Sequence, residues 1–152
     1  EVYQLSGRRM SEFQQEHGFD EQPFSALIIG LNRNRDLLYR RIEGRIDWQL
    51  AHGLMEETKQ LLDQGYRLNC AAMKGLGYRH VAEHWAGEYD AVEMVRRFKR
   101  DTRHYAKRQM TWFRKEPGIQ WLTIEESETA QQTGALVIGQ ADRFLAALGG
   151  QG

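Results

Sequence analysis

Residues 90–115, DAVEMVRRFKRDTRHYAKRQMTWFRK, contain the longest helical pattern in this sequence. Asp90 followed by Glu93 is typical of a capped helix start, and Pro117-Gly118 ends the pattern. At about 100° per residue, one side of the helix carries mainly apolar and aromatic side chains: Val95, Phe98, Thr102, Tyr105, Gln109 and Phe113. The segment therefore predicts a long amphipathic helix over about residues 91–115 and indicates a mostly helical chain.

A second side of this helix is basic. Its cations fall within a sector of about 60° and form what we call the basic stripe: Arg96, Arg100, Arg103, Lys107 and Arg114. Between residues 96 and 115 there are nine Lys or Arg residues and one acid, Asp101. Like charges one turn apart cost about 0.2 to 0.5 kcal/mol in an isolated helix. Because only Asp101 is near enough along the chain to offset them, we expect an anion to face the stripe.

The basic stripe favours a polymeric anion. Nucleic-acid phosphates recur along a backbone, which suits a row of cations over several helical turns better than one small metabolite does. A solvated charged face is the alternative, although such faces usually interleave acids with bases. Base stacking by Tyr105, Trp112 or Phe113 is a further possibility that the pattern leaves open.

The composition is that of a folded chain with an ordinary core. The 152 residues include 21 basic and 21 acidic side chains, so the basic run is hidden in a neutral total. The single cysteine, Cys70, has no partner for an internal disulfide, which agrees with a reducing compartment. The apolar runs are shorter than the ~20 residues of a membrane span. We expect a cytoplasmic protein whose natural N-terminus lies upstream of Glu1.

The remaining sequence predicts helices and two short strands. Ser11 with Gln14 reads as a capping box for a short helix. The apolar run FSALIIGL predicts a buried strand at residues 24–31, and helices follow over residues 33–52 and 54–63. A turn of helix and a loop occupy residues 69–77. Beyond it we predict a helix at residues 78–85, an edge strand at 119–123 and a closing amphipathic helix at 129–148.

Five arginines crowd the first long helix: Arg33, Arg35, Arg40, Arg41 and Arg45. A fork of guanidinium donors matches a diphosphate well. Asp36 and Glu43 are equally placed to pair with these arginines on a wet surface. The spacing alone leaves both interpretations open.

His80, Glu83 and His84 read H-x-x-E-H, which is the inverted zinc-protease pattern. On a helix the two histidines share a face, but the chemistry needs a third ligand downstream. A five-residue match within a helix arises often by chance. Surface or half-buried histidines are the preferred interpretation, and we predict no metal site from these residues.

Several segments in order resemble one family. Residues 102–114, TRHYAKRQMTWFR, are the most specific, and LNRNRDLLYRRIEGR at residues 31–45, Ala72-Met73 and Gly77-Tyr78 accompany them. Together these segments resemble the tRNA dimethylallyltransferases, over about residues 1–122. The resemblance implies an α/β fold of the P-loop NTPase type, of which this chain is a mostly helical part with one or two strands. Residues 1–22 would end a helical tRNA-binding insertion, and residues 23–152 would form the C-terminal part of the core.

The resemblance also implies an activity. The family transfers a dimethylallyl group from dimethylallyl diphosphate to the exocyclic amine of the adenosine 3′ of the anticodon in tRNA, with Mg²⁺. This sequence contains no G-x-x-x-x-G-K-[ST] loop and no segment matching the family's catalytic aspartate, so we expect the fragment to be inactive alone. We expect a monomer when intact, with the tRNA anticodon stem-loop as partner and no protein partner or membrane. A stand-alone helical RNA-binding module is the alternative.

Residue roles follow from the same resemblance. Arg45 corresponds to the arginine that contacts the diphosphate, so it is the candidate catalytic residue. The tRNA-contacting segments correspond to residues 67–74 and 101–108, and the second overlaps the basic stripe. Combining both arguments, the predicted tRNA-binding residues are Arg67, Lys74, Arg79, Arg96, Arg100, Arg103, Lys107, Arg108 and Arg114.

Overall fold

The computed structural model describes residues 6–9, 12 and 24–150. Most of this part is helical, as predicted, and its two short strands pair in parallel. Its elements are β1 (Ile28–Asn32), α1 (Arg35–Ala51), α2 (Leu54–Asp63), a 3-10 turn (Ala72–Lys74), α3 (Tyr78–Trp85), α4 (Ala91–Phe113), β2 (Ile119–Thr123) and α5 (Ala130–Gly149). The capping box predicted at Ser11 and Gln14, and most of the predicted insertion, fall outside the described residues.

Three predicted elements, α2, α3 and β2, have the bounds expected from the sequence. The strand predicted from residue 24 is shorter and begins at Ile28. Its partner β2 has five residues, Ile119 to Thr123, and they pair with residues 28–32. Residues 24–27 therefore have no paired strand residue in the described part of the chain. Phe24 is accordingly 80% exposed. Helix α1 begins at Arg35 because the Asn34 side chain accepts a hydrogen bond from the Asp36 amide.

The two strands pair in parallel, from Ile28 opposite Ile119 to Asn32 opposite Thr123. Gly30 lies opposite Trp121, and a Cβ atom at Gly30 would come within 2.6 Å of the indole. The glycine therefore lets the indole of Trp121 cross the neighbouring strand. Parallel sheets are normally covered on both faces, yet Leu31 remains 53% exposed here.

The helices α1 to α4 enclose the core. Helix α4 packs against α1 and α3, and α2 packs against α3. Most of the buried apolar side chains come from these elements and from the 3-10 turn: Ile46, Met73, Val81, Met94 and Phe98 are each at most 3% exposed, and Ile124 after β2 is 2% exposed. Gly77 has φ +98° and directs the chain into α3, and a Cβ there would lie 3.2 Å from the Phe98 ring. The core therefore fixes the first half of α4 beside α3.

The closing helix α5 is capped by Thr129, whose hydroxyl accepts a hydrogen bond from the Gln132 amide. None of its residues is buried, and Ile138 and Leu145 are each 62% exposed. Val137, Ala141 and Phe144 are half-buried, so the apolar residues of this helix are only partly covered in the described part of the chain. None of the helices described is long and apolar enough to cross a membrane.

Candidate nucleic-acid interface

A cleft of about 640 Å³ opens between the 3-10 turn, α3 and the middle of α4. We call it the Arg79 cleft. Its lining residues are Lys74, Gly75, Leu76, Arg79, Asp101, His104, Tyr105 and Arg108. Three of the predicted tRNA-binding cations, Lys74, Arg79 and Arg108, therefore meet in one place although they come from different elements. Both chain segments that the resemblance assigned to tRNA contribute to it.

Two cations of the Arg79 cleft are available to an outside anion. Lys74 and Arg108 are exposed, and neither has an ion pair among the residues that the structure describes. The Arg108 guanidinium lies 5.8 Å from the centre of the Tyr105 ring, and Tyr105 is 47% exposed. A cation beside an exposed aromatic face suits RNA, which offers phosphates and bases together.

The floor of the cleft is built around Asp101. Its Oδ2 accepts hydrogen bonds from Arg79 Nη2 at 2.9 Å and from His80 Nε2 at 3.1 Å, and its Oδ1 accepts one from Arg100 Nε at 2.8 Å. Burial alone would raise the pKa of Asp101, but the hydrogen bonds from Arg100 and His80 outweigh burial and lower the pKa to about 2. Asp101 is therefore a fixed carboxylate that orients the cations around it. We call these four residues the Asp101 network.

The histidines of the H-x-x-E-H pattern have ordinary hydrogen-bond partners. His80 is 1% exposed and stacks on Phe98 with ring centres 5.1 Å apart. Its Nδ1 accepts a hydrogen bond from the Gly77 amide. The Nδ1 of His84 donates to the Tyr89 carbonyl at 2.9 Å. Within the described residues, no group of three or more His, Cys, Asp or Glu side chains is arranged to hold a metal ion. Burial lowers the pKa of His80, although its hydrogen bond to Asp101 acts in the opposite direction.

The basic stripe is divided by three carboxylates, of which the sequence pattern had indicated only Asp101. Arg96 donates to Glu93 at 2.6 Å, Arg100 to Asp101 at 2.8 Å, and Arg103 to Glu43 of α1. The expectation that Asp101 is the only acid available to offset the stripe was therefore wrong. Glu93 lies within one turn of Arg96, and folding brings Glu43 against Arg103. Spacing along one helix could have revealed Glu93, but not Glu43.

The rest of the stripe borders a second opening. Lys107 and Arg114 line a groove of about 230 Å³ with Arg33 and Arg35, at the carboxyl end of β1, and no carboxylate belongs to its lining. Arg33 donates to the Glu125 carbonyl at 3.0 Å, and Arg35 lies over the Tyr39 ring. Because Lys107 and Arg108 point about 100° apart around α4, this groove and the Arg79 cleft lie on different sides of the helix.

Besides Arg96, Arg100 and Arg103, two more predicted site residues, Arg45 and Arg67, line neither opening. Arg45 is exposed on α1, has no ion pair within the described part of the chain, and lines neither opening. Arg67 donates to the carbonyl of Tyr66 at 2.9 Å and also to that of Leu62, which holds the loop after α2. The structure thus brings Lys74, Arg79 and Arg108 together in one cleft. Arg45 and Arg67 lie outside that cleft.

Comparison with known proteins gives a consistent result. The sequence model of the IPP transferase family matches residues 1–116. The tRNA dimethylallyltransferase 1 of Trichlorobacter lovleyi is 45% identical over 135 residues, which are 89% of this chain and 44% of that protein. The tRNA dimethylallyltransferase of Geobacter metallireducens is 47% identical over 122 residues, or 80% of this chain and 40% of that protein. The chain thus spans about two fifths of the length of these curated relatives.

Solved structures agree with the sequence comparison. The tRNA delta(2)-isopentenylpyrophosphate transferase of Staphylococcus epidermidis matches 93% of this chain and 46% of its own, with a TM-score of 0.73 and 30% identity. The full-length tRNA isopentenylpyrophosphate transferase of Bacillus halodurans matches 95% of this chain and 51% of its own, with a TM-score of 0.75 and 25% identity. Because the family model matches most of the sequence and the folds agree, this chain belongs to the IPP transferase family.

Proposed function

We propose that the protein containing this chain transfers a dimethylallyl group from dimethylallyl diphosphate to the exocyclic amine of the adenosine 3′ of the anticodon in tRNA. The observation that carries the proposal is the Arg79 cleft, where Lys74, Arg79 and Arg108 converge from two separate segments. The relatives named tRNA dimethylallyltransferases support it. In the proposal this chain supplies RNA-binding helices to an α/β P-loop type enzyme, whose phosphate loop and catalytic base belong to the part of the relatives that this chain does not span.

The Arg79 cleft is the proposed surface for the anticodon stem-loop. Each phosphate that a cation neutralises releases a condensed counterion, so several converging cations produce salt-dependent binding. Lys107 and Arg114 extend the positive surface around α4, where the described residues offer them no carboxylate. Arg96, Arg100 and Arg103 remain predicted contacts, of secondary weight because each already has an acidic partner.

Arg45 is the proposed diphosphate contact. In the reaction, the adenine amine attacks the allylic carbon, the carbon–oxygen bond to the diphosphate breaks, and the leaving diphosphate takes the electron pair. The amine proton passes to a base outside this chain. A guanidinium fork next to the leaving oxygens stabilises the negative charge that develops there. The side chain of Arg45 is exposed and without a carboxylate partner in the described part, so its charge is available for that role.

Magnesium has no ligand set within this part of the chain. The described residues contain no group of three or more His, Cys, Asp or Glu side chains placed to hold an ion. The Mg²⁺ that the family resemblance implies is therefore assigned no ligand and no step here. A bound magnesium ion would add charge compensation for the diphosphate.

The alternative of a stand-alone RNA-binding module fits less well. Such a module should close its apolar residues into its own core. Here Leu31 on β1 is 53% exposed and Ile138 on α5 is 62% exposed. A two-stranded parallel sheet with uncovered apolar residues is instead what one part of a larger α/β fold would present.

The test is transfer of labelled dimethylallyl groups to tRNA by the protein in its full natural length, comparing Arg45→Gln with Arg40→Gln. Both arginines are exposed on α1, but Arg40 is paired with Glu126 at 3.1 Å. Arg45→Gln should lower kcat by about 100-fold or more, because one donor to a developing anion is lost. Arg40→Gln should stay close to the unchanged protein. Absence of transfer by the unchanged protein would overturn the proposed function, whereas equal rates in the two variants would overturn only the role of Arg45.

A further inference from the structure

Two members of the Asp101 network, His80 and Arg100, do not line the Arg79 cleft, and of these His80 is the buried one. It is 1% exposed, whereas the side chains of Asp101 and Arg79 are 21% and 38% exposed. Both of its ring nitrogens have partners: the Gly77 amide donates to Nδ1 at 3.4 Å, and Nε2 lies 3.1 Å from Asp101 Oδ2 and, farther away, 3.4 Å from Arg79 Nη2. The contact to Asp101 therefore reaches from the buried core to the floor of the cleft.

The partners of His80 fix its tautomer. Because the Gly77 amide is a donor, Nδ1 must accept, so the proton of the neutral ring lies on Nε2 and is donated to Asp101. Protonation of Nδ1 would place two N–H groups against each other. The charged groups around the ring are Arg79 and Glu83 on α3, and Arg100 and Asp101 on α4. The neutral ring with its proton on Nε2 is thus the form that this geometry accommodates.

The contact between His80 and Asp101 also affects Arg79, because His80 and Arg79 bind the same carboxylate. Its Oδ1 is held by Arg100, and its Oδ2 receives both His80 Nε2 and Arg79 Nη2. If the histidine were replaced by an apolar side chain, Asp101 would lose its contact from the core and would be free to turn toward Arg100. The Arg79 guanidinium has its other ion-pair contact to Glu83 at 3.9 Å, which is too long for a strong bond. Arg79 therefore depends on Asp101 for its position in the cleft.

We propose that His80 is a positioning residue for RNA binding: its Nε2 proton holds the Asp101 carboxylate, which holds the Arg79 guanidinium toward the phosphates in the cleft. The inference rests on the proposed function, because it takes the Arg79 cleft as the RNA surface. His80 touches neither substrate. Its effect should appear in RNA affinity and KM, while kcat at saturating tRNA stays unchanged.

The test compares His80→Leu, His80→Gln and Arg79→Gln in the protein of full natural length. The readout is binding of a labelled anticodon stem-loop over a salt series. Arg79→Gln should reduce the log-log salt slope by about 0.7 to 0.9, the share of one phosphate contact. His80→Leu should reproduce this loss although no cation is removed. His80→Gln should restore the wild-type slope, since its amide offers one donor and one acceptor.

The outcomes separate the two proposals. A wild-type slope in His80→Leu, with a reduced slope in Arg79→Gln, would overturn the role of His80 and leave the cleft in place. Equal losses in His80→Leu and His80→Gln would also overturn it, because that result indicates packing rather than hydrogen bonding. An unchanged slope in Arg79→Gln would overturn the cleft itself. If His80→Leu does not fold, nitrogen NMR of the unchanged protein decides: a neutral ring protonated at Nε2 is expected, and a ring protonated at Nδ1 at neutral pH would overturn the inference.

Discussion

Helix α4 together with the two residues after it divides into two halves, residues 91–103 and 104–115, which carry five and four cations in different surroundings. In residues 91–103 every cation has a carboxylate partner: Arg96 and Arg97 pair with Glu93, Lys99 with Asp47, Arg100 with Asp101, and Arg103 with Glu43. In residues 104–115 there are four cations, Lys107, Arg108, Arg114 and Lys115, and none has an ion pair within the described part of the chain. The first half also holds both buried residues of the helix.

This contrast shows what a basic run in a sequence does and does not mean. The first half packs between α1 and α3, its cations pair with acids of α1 and of α4 itself, and it acts as a scaffold. The second half extends beyond this packing, and its side chains border the Arg79 cleft and the groove at Arg114. Within residues 91–115, the cations without a carboxylate partner in the described part of the chain therefore all lie after residue 103. The predictions below test this division.

The largest expected difference concerns two phenylalanines on α4. Phe98 is 3% exposed and Phe113 is 39% exposed. Phe98→Ala should lower the free energy of unfolding by about 3 to 5 kcal/mol, because it removes a buried ring and leaves a cavity. Phe113→Ala should cost less than about 1 kcal/mol. Urea unfolding of both variants measures the difference, and similar losses would show that the second half is as buried in solution as the first.

A second comparison uses adjacent cations from each half. The double variant Lys107→Gln with Arg108→Gln should reduce the salt slope of stem-loop binding by about 1.4 to 1.8. The gain in affinity on going from 1 M to 0.1 M salt should then be about 30-fold smaller than in the unchanged protein. Arg96→Gln with Arg97→Gln should leave the slope near that of the unchanged protein, because both arginines are already paired with Glu93. The same stem-loop titration measures both pairs. Equal losses would restore Arg96 as an RNA contact and contradict the division of the helix.

Sequence patterns predicted the elements well because their signals are local. The bounds of α3 and β2 and the cap at Asp90 depend on residues within a few positions of one another. The partners of the cations were not predictable in this way, since Glu43 and Asp47 lie more than 50 positions from Arg103 and Lys99. The buried contact of His80 with Asp101 was missed for the same reason. Asp101 did give a signal, as the single acid in a basic run.

A smaller effect is expected from pH, and it should originate in the Asp101 network beside the first half. Burial lowers the pKa of His80 in the folded protein, so the unfolded chain takes up the proton first as the pH falls. Stability is therefore complete above the ordinary histidine value of about 6.5 and declines below it, by at most about 1.4 kcal/mol per pH unit for this group. Comparing urea midpoints of the unchanged protein and His80→Gln across this range isolates the contribution. Identical pH profiles would show that His80 keeps an ordinary pKa.

The smallest effect should come from making the first half resemble the second. Glu93→Gln removes the carboxylate shared by Arg96 and Arg97, and so leaves two cations unpaired at the start of α4. If charge count governed RNA binding, this variant would bind much more tightly. If position governs it, the gain should stay below about threefold at physiological salt, because exposed charges farther than about 8 Å from the phosphates are largely screened. A tenfold gain in the stem-loop titration would place the RNA along the whole helix, whereas a small gain would confine it to the half where the cations are unpaired already.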